Sequence, residues 1–425
     1  MDHLRIKIGS KVVLYRELKN NPQDHEAAFA AAKLSRRPRC LCNQLMPELY
    51  IAKRTYHYLA RMPGTGHQHD PDCDFYETLM TDSGKSGYEG AFKEEDGITD
   101  VKFAFTLSRM RTAKQNNTRN PEPSHKPVTK RGASGLLGLM HYLWEKSKNN
   151  IWFPVKKGQP VKNRTWRSIA WHLNHTVSQV KRANVPLQEL LYVVPAFDKE
   201  TIVENELAWA RYITPVLESA SKAAIDANEP QLFRMVLGEV GGINTTEYGY
   251  SLSLKQTTRK LFFAKDLHAK LLRSYPGAMA LQFDGTERVI CLALVTATEK
   301  GNLVLVDAAL MRCTSHYLPV DSSYEVTVAN KLVEEGRRFE KPLRYEASEL
   351  TLPDFILLDT DPLRLPMEIY GMTGRDDYDA RKAEKRRHYR ETVADSWEWE
   401  PSVQADMAPF PPRRQKPVVA TEEIT

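Results

Sequence analysis

The chain predicts an α+β protein of several domains, and three observations carry the prediction. At 425 residues, 41% of them apolar, it exceeds one typical core and has enough hydrophobic side chains to fill two or three. Three of its five cysteines, Cys40, Cys42 and Cys73, fall close together, which predicts a small module stapled by a metal and not a secreted disulfide framework. Beyond Gly277, strand-like apolar runs give way in quick succession to amphipathic helical ones, which predicts an α/β core towards the C-terminus.

Residues 1–108 form the cysteine-bearing module with short strands. It ends in YEGAFKEEDGITDVKFAFTL, two strands about a turn at Asp96-Gly97. Residues 109–133 read as a basic linker, because Arg109 to Arg131 holds seven Lys/Arg against one Glu, is rich in Pro, Asn and Thr, and has no hydrophobic period. Residues 134–225 are helical. SGLLGLMHYLWEKSKNN, with Ser134 as N-cap, and NRTWRSIAWHLNHTVSQV flank a basic loop, an arrangement common to a winged-helix fragment and to a helical hairpin in a core. Residues 226–397 are an α+β region leading into the C-terminal core, which begins near 280. There ERVICLALVTATE and NLVLVDAALMRCT read as strands joined at Lys300-Gly301, followed by the helix SSYEVTVANKLVEEGRRF, the hairpin LPDFILLDTDPLRLPMEIYGM and a basic helix, DDYDARKAEKRRHYRETVADSW. Residues 398–425 are Pro-rich without periodicity and read as a disordered tail.

Several classes are disfavoured. No Gly-rich phosphate loop or internal repeat occurs, which argues against a nucleotide hydrolase. The N-terminal stretch alternates charged and apolar residues, and no window reaches the roughly 18 apolar residues of a spanning helix, so the expectation is a cytoplasmic protein without a membrane partner. The net charge of +6 is modest but unevenly placed: Arg381 to Arg390 holds six Lys/Arg against one Glu. Interleaved with tyrosines, those cations, Arg381, Arg386 and Arg387 among them, suit phosphate contact, so DNA is the expected partner; the plain alternative is a solvated helix face.

Tetrahedral zinc takes four nitrogen or sulfur donors, and CLC at 40–42 with HQHDPDC at 67–73 supplies Cys40, Cys42, His67, His69 and Cys73. Three cysteines and His69, with His67 as the alternative fourth ligand, make a closed structural site. A second set lies in the hairpin. If its strands pair, Asp354 and Glu368 project from one face, and Tyr370, two residues on, shares that face. Neighbouring carboxylates repel unless a cation lies between them, and hard oxygen ligands suit Mg²⁺ or Mn²⁺. On the basic helix Tyr378, Lys382, Lys385 and Tyr389 recur at helical spacing and line one face.

Asp354 after Pro353, then Glu368-x-Tyr370, resembles the PD-(D/E)xK nuclease superfamily. The resemblance implies a restriction-endonuclease-like core in which Asp354 and Glu368 hold a catalytic Mg²⁺ or Mn²⁺ and Glu325, in the preceding helix, adds a further acidic residue. Tyr370 occupies the lysine slot, so Lys382 or Lys385 is expected to bring the missing charge. A zinc-knuckle-like module ahead of such a core is similar to the CoiA-like competence proteins. RMPGTGHQHDPDCDFYE, LPVDSSYEV, LPDFILLDT and MEIYGM together resemble the bacterial domain-of-unknown-function 1173 family carried on plasmids and integrative elements, which implies conjugation or mobile-element proteins as further partners. Two functions follow as expectations: a metal-dependent DNA-processing nuclease, or a non-catalytic DNA- or partner-binding protein on the same fold.

Overall fold

The computed structural model describes residues 4–35, 37–53, 56–62, 64–71, 73–77, 88, 90–95, 97–111, 132–154, 164–343, 352–371, 382–383, 385–387, 389–391 and 395–414. The N-terminal part comprises strands β1 (Arg5–Ile8) and β2 (Lys11–Leu14), helices α1 (Tyr15–Asn20) and α2 (Glu26–Ser35), and strands β3 (Arg39–Cys40), β4 (Leu49–Lys53), β5 (His57–Arg61), β6 (Phe92–Glu95), β7 (Ile98–Val101) and β8 (Ser108–Arg109). The expected hairpin about Gly97 is β6–β7, and Gly97 takes a φ of 71°, which a glycine adopts without strain.

The next segment holds α3 (Leu136–Lys146), β9 (Ile151–Trp152), α4 (Trp166–Val177), β10 (Val180–Arg182), β11 (Val185–Pro186), β12 (Leu191–Val193), α5 (Ile202–Ser219), α6 (Lys222–Asp226) and β13 (Gln231–Leu232). Of the two arrangements open for α3 and α4, packing in a core is the one observed. Leu139, Met140, Leu143 and Trp144 of α3 join Ile169 and Leu173 of α4 in one buried cluster. The hairpin after α4 does not stand free, because β10 pairs in parallel with β7 and so joins segments from either side of the basic linker.

Strands β14 (Arg234–Thr246), β15 (Gly249–Leu254) and β16 (Lys260–Phe263), helices α7 (Lys265–Ser274) and α8 (Pro276–Met279), and strands β17 (Glu287–Ala297) and β18 (Leu303–Thr314) follow. These five strands close a barrel. Neighbours run β14-β15-β16-β18-β17, and β17 pairs back onto β14. One strand serves two neighbours on its two halves because it bends at a bulge between Val240 and Gly242, where Gly241 is the inserted residue. Val236, Leu252, Leu261, Cys291 and Leu305 fill the interior. Outside, Leu237, Leu292, Met311 and Cys313 pack against α3 and α4. Strand β17 is therefore buried on both faces, which explains its unbroken apolar run. The two strands expected to open the C-terminal core thus belong to the barrel instead, since β17 pairs with β14 and β18 with β16, both upstream of the expected core.

The C-terminal sheet is built from α9 (Ser323–Glu334), β19 (Phe339–Glu340), β20 (Phe355–Leu357), β21 (Leu365–Ile369) and β22 (Trp397–Trp399), in the order β22-β21-β20-β19-β9. Strands β21 and β22 are parallel and the other pairs antiparallel. Val328, Leu332 and Val333 of α9 cover the face carrying Phe339, Phe355, Leu357 and Met367. On the opposite face Ile151, Ile356 and Leu358 pack on the cysteine-bearing module through Cys40, Cys73 and Phe75.

The Pro-rich segment read as disordered is held against this sheet as far as Arg414; residues 415–425 lie outside the described ones. Trp397 Nε1 donates to Pro409 O at 3.3 Å, Trp399 Nε1 to Gln404 O at 3.1 Å, and Arg414 N to Asp359 O at 2.7 Å. Low periodicity concealed two buried indoles that anchor the chain on either side of Glu398. No helix among the described residues is long and apolar enough to cross a membrane. Trp399→Ala should cost about 3–5 kcal/mol of stability, read as a lowered urea midpoint at unchanged slope, whereas a tail without order would tolerate it.

Candidate metal centre and the buried carboxylates

The cysteine-histidine set converges. The ligand atoms of Cys40, Cys42, His69 and Cys73 all lie within 4.8 Å of one another, and among the described residues this is the group of that kind. Cys40 Sγ and Cys73 Sγ are 3.5 Å apart, and His69 Nδ1 is 3.6 Å from both Cys42 Sγ and Cys73 Sγ. A zinc tetrahedron with bonds of about 2.3 Å to sulfur and 2.0–2.1 Å to nitrogen has S···S edges near 3.8 Å and S···N edges near 3.6 Å, so the set can hold a metal such as zinc. Of the two histidines, His69 is the one brought in. Backbone N–H groups of Asp70 and Phe75 donate to Cys42 Sγ and Cys73 Sγ, each at 3.4 Å, which suits sulfurs carrying thiolate charge. Hydrogen bonding among the clustered thiols pushes Cys40 up to about 12 and Cys73 higher still, while Cys42 is held down by the same bonds.

The expected hairpin forms between β20 and β21. Its register pairs Phe355 with Met367, and one step further sets Asp354 opposite Glu368. Asp354 N donates to Met367 O at 3.0 Å, and Asp354 Oδ2 accepts from Ile369 N at 2.8 Å, so this carboxylate also ties the strand ends together. Glu368 is 1% exposed. Burial, then the nearby Asp354, pushes its carboxyl up to about 7.

A lysine of the basic helix meets Glu368. Lys385 Nζ lies 2.9 and 2.7 Å from the two oxygens of Glu368 and also donates to Leu352 O at 3.1 Å. Tyr389 OH donates to Glu368 Oε1 at 2.5 Å. Lys382 is elsewhere: it pairs with Glu400 and sits 4.7 Å from the ring centre of Tyr370. Arg386 lies 5.2 Å from the same ring and donates to Glu398 Oε2 at 2.8 Å. Tyr370 thus supplies a π surface to two cations. Its own hydroxyl is buried and finds no hydrogen-bond partner among the described residues. Of the expected DNA contacts, Arg386 is engaged with Glu398, Arg387 is exposed, and Arg381 and Tyr378 lie outside the described residues.

Glu325, on α9, lies close enough to Asp354 for that carboxylate's charge to act on it. Among the described residues, Glu325, Asp354 and Glu368 do not converge into one ligand group as the cysteine-histidine set does. Glu325 occupies the third position of α9, where its Oε2 accepts from Asp321 N at 3.0 Å while Ser322 Oγ accepts from Glu325 N at 3.2 Å, a variant of the capping box. The same Oε2 receives Lys341 Nζ at 2.7 Å. Burial, offset in part by that lysine and reinforced by the charges of Asp321 and Asp354, pushes Glu325 up to about 7. Lys341, 1% exposed, escaped sequence reasoning, although a lysine closing the apolar strand FEK was the signal. Glu398 and Glu400 escaped it too, and the alternation WEWE was theirs.

Two outcomes follow. His69→Ala or Cys73→Ser should abolish binding of one zinc per chain, whereas His67→Ala keeps it, as read by atomic absorption after dialysis. Lys385→Met, which leaves Glu368 buried without its cation, should cost about 3–5 kcal/mol in denaturant unfolding, and much of that cost should vanish when Glu368→Gln accompanies it.

No curated protein and no solved structure matches the chain at a significant level. A family model, described as a protein of unknown function (DUF1173), matches residues 12–402, a span that includes the cysteine-histidine set, the barrel and the hairpin. The chain belongs to the DUF1173 family.

Proposed function

We propose that this protein is a metal-dependent nuclease that processes DNA of plasmids or integrative elements, with Asp354 and Glu368 as the ligands of Mg²⁺ or Mn²⁺. The observation that carries the reading is Lys385, whose ammonium lies 2.7 Å from Glu368 in a chain where Tyr370 takes the place of the Glu-x-Lys lysine. When bound, the ion would activate water and neutralise charge on a scissile phosphate. Lys385, released from one Glu368 oxygen, would put its positive charge beside the phosphate oxygens, the role a lysine in the slot of Tyr370 would have had. Tyr389 keeps Glu368 oriented, while Lys341 holds Glu325, whose carboxyl lies within reach of the Asp354 charge. The cysteine-histidine set holds a structural zinc in this reading, with the module it staples seated on the same sheet.

A second reading has its own support. Asp354 Oδ2 is engaged by the Ile369 amide, and Lys382 and Arg386 are neutralised by Glu400 and Glu398. Such pairings suit a nuclease-like fold kept for binding DNA or a partner protein without cleavage.

Incubation of single-stranded, double-stranded and branched DNA with Mg²⁺ or Mn²⁺ tests the two. The nuclease reading expects scission by the wild-type protein and its loss in Asp354→Ala, Glu368→Ala and Lys385→Ala. DNA bound by all four proteins and cut by none selects the second reading.

A further inference from the structure

The strand order of the barrel carries an inference that does not depend on the carboxylates. Taken along the chain, β14, β15, β16, β17 and β18 are its first to fifth strands. Around the ring they run first, second, third, fifth, fourth and back to first, with the third and fifth parallel and α7 and α8 inserted between the third and fourth. That is the arrangement of oligonucleotide/oligosaccharide-binding barrels, whose ligands lie across the second and third strands between the first-to-second and fourth-to-fifth loops.

Fold alone does not assign a ligand, so the side chains on that face decide the matter. The outward residues of β17, β18 and the first half of β14 are covered by α3 and α4. On the second half of β14 and on β15 and β16, Asn244, Ser253, Lys260 and Phe262 are turned outward and reached by solvent. Register sets Asn244, Ser251 and Phe262 in one cross-strand row, and Phe262 pairs onward with Val304, two residues past the fourth-to-fifth loop that holds Lys300. At the other boundary the first-to-second loop presents Tyr248, 86% exposed, while Phe262 is 37% exposed. The loop is drawn close onto β16: a Cβ at Gly249 would meet Phe263 O at 2.4 Å. The exposed face thus carries the rings of Tyr248 and Phe262 with the exposed Asn244 and half-buried Ser253, while Ser251 in the row is buried.

The charge on this hairpin selects among occupants. From Tyr248 to Lys265, between Glu247 and Asp266, there are four cations and no Asp or Glu; Lys255 and Arg259 pair with Glu239 and Glu206, and Lys260, exposed beside Phe262, is the one set on the outer face. A neutral sugar chain has no use for that bias, whereas a polyanion whose bases stack on aromatic rings does.

We propose that the outer face of β15 and β16 binds single-stranded nucleic acid, with bases stacked on Tyr248 and Phe262 and phosphates on Lys260 and Lys300. The test is fluorescence anisotropy with labelled twenty-nucleotide oligo-dT and oligo-rU and a duplex of the same length, without added Mg²⁺ or Mn²⁺, so that cleavage has no part in the readout. Tyr248→Ala and Phe262→Leu, the latter keeping apolar volume, should each weaken single-strand binding by about fivefold or more, in line with base stacking on an aromatic. Lys260→Gln should reduce the slope of log affinity against log salt by about 0.7, the value for one phosphate on a single strand. Weakening in either the DNA or the RNA arm supports the proposal and names the strand chemistry. Single-strand affinity unchanged in both aromatic variants, with circular dichroism showing them folded, overturns it. So does tighter binding of the duplex than of either single strand, or a wild-type protein that binds only an oligosaccharide in a parallel titration.

Discussion

Charge buried in the C-terminal sheet is the constraint on which most of this architecture turns. Glu325, Glu340, Lys341, Asp354 and Glu368 are all 6% exposed or less, and an unpaired charge at any of them would be prohibitive. Each is therefore matched, and the matches come from far along the chain. Glu340 accepts from Tyr76 OH at 3.1 Å and lies 3.5 Å from the guanidinium of Arg364, Glu368 is met by Lys385 and Tyr389, and Glu325 by Lys341. Folding this sheet thus requires the N-terminal module, α9 and the basic helix to arrive together, because leaving any of them out strands a charge.

The metal-binding set is coupled to that requirement through a short lever. Cys73 lies three residues before Tyr76, and Phe75 between them packs on Tyr15 with ring centres 4.8 Å apart. Lys148 Nζ, donating to Cys73 O at 2.5 Å, ties the same turn to the segment leading into β9. A metal held by Cys73 would therefore also hold the Tyr76 hydroxyl beside Glu340. A small module with modest hydrophobic area would gain rigidity from an ion held there, and the buried carboxylate has its donor in Tyr76.

What could be read from the residues was local. The runs from Glu287 and Leu303 alternate or stay apolar over more than ten residues, and both became strands; the hairpin of Asp354 and Glu368 took the register that sets them opposite each other; and the cysteine spacing singled out the donors, with His69 preferred. What could not be read was pairing between distant segments. Nothing in the sequence near Arg234 announces that β14 meets both β15 and β17, so the barrel was invisible and its last two strands were assigned to the wrong body. Strand β9, two residues long, has no period at all, and its place beside β19 follows only from the packing of Trp152. The pairs that carry the sheet, Glu340 with Tyr76 and Lys341 with Glu325, join segments whose proximity no local pattern encodes.

The basic helix shows why counting cations misjudges a polyanion site. Six positive residues in ten suggest a surface for phosphate, yet Lys382, Lys385 and Arg386 meet Glu400, Glu368 and Glu398, carboxylates set on one face by the parallel pairing of β21 with β22. A cation already satisfied by a carboxylate must break that pair to take a phosphate, so its contribution to nucleic-acid affinity is a difference of two similar attractions. By the same logic, the four cations between Tyr248 and Lys265, a stretch bordered by Glu247 and Asp266, count only as far as they are unpaired. Arg259 and Lys255 have partners in Glu206 and Glu239 on other elements, which leaves the weight on Lys260 beside Phe262. On the C-terminal sheet, by contrast, Lys382, Lys385 and Arg386 are each held by a carboxylate, so its charges balance locally and the open cation lies on the barrel.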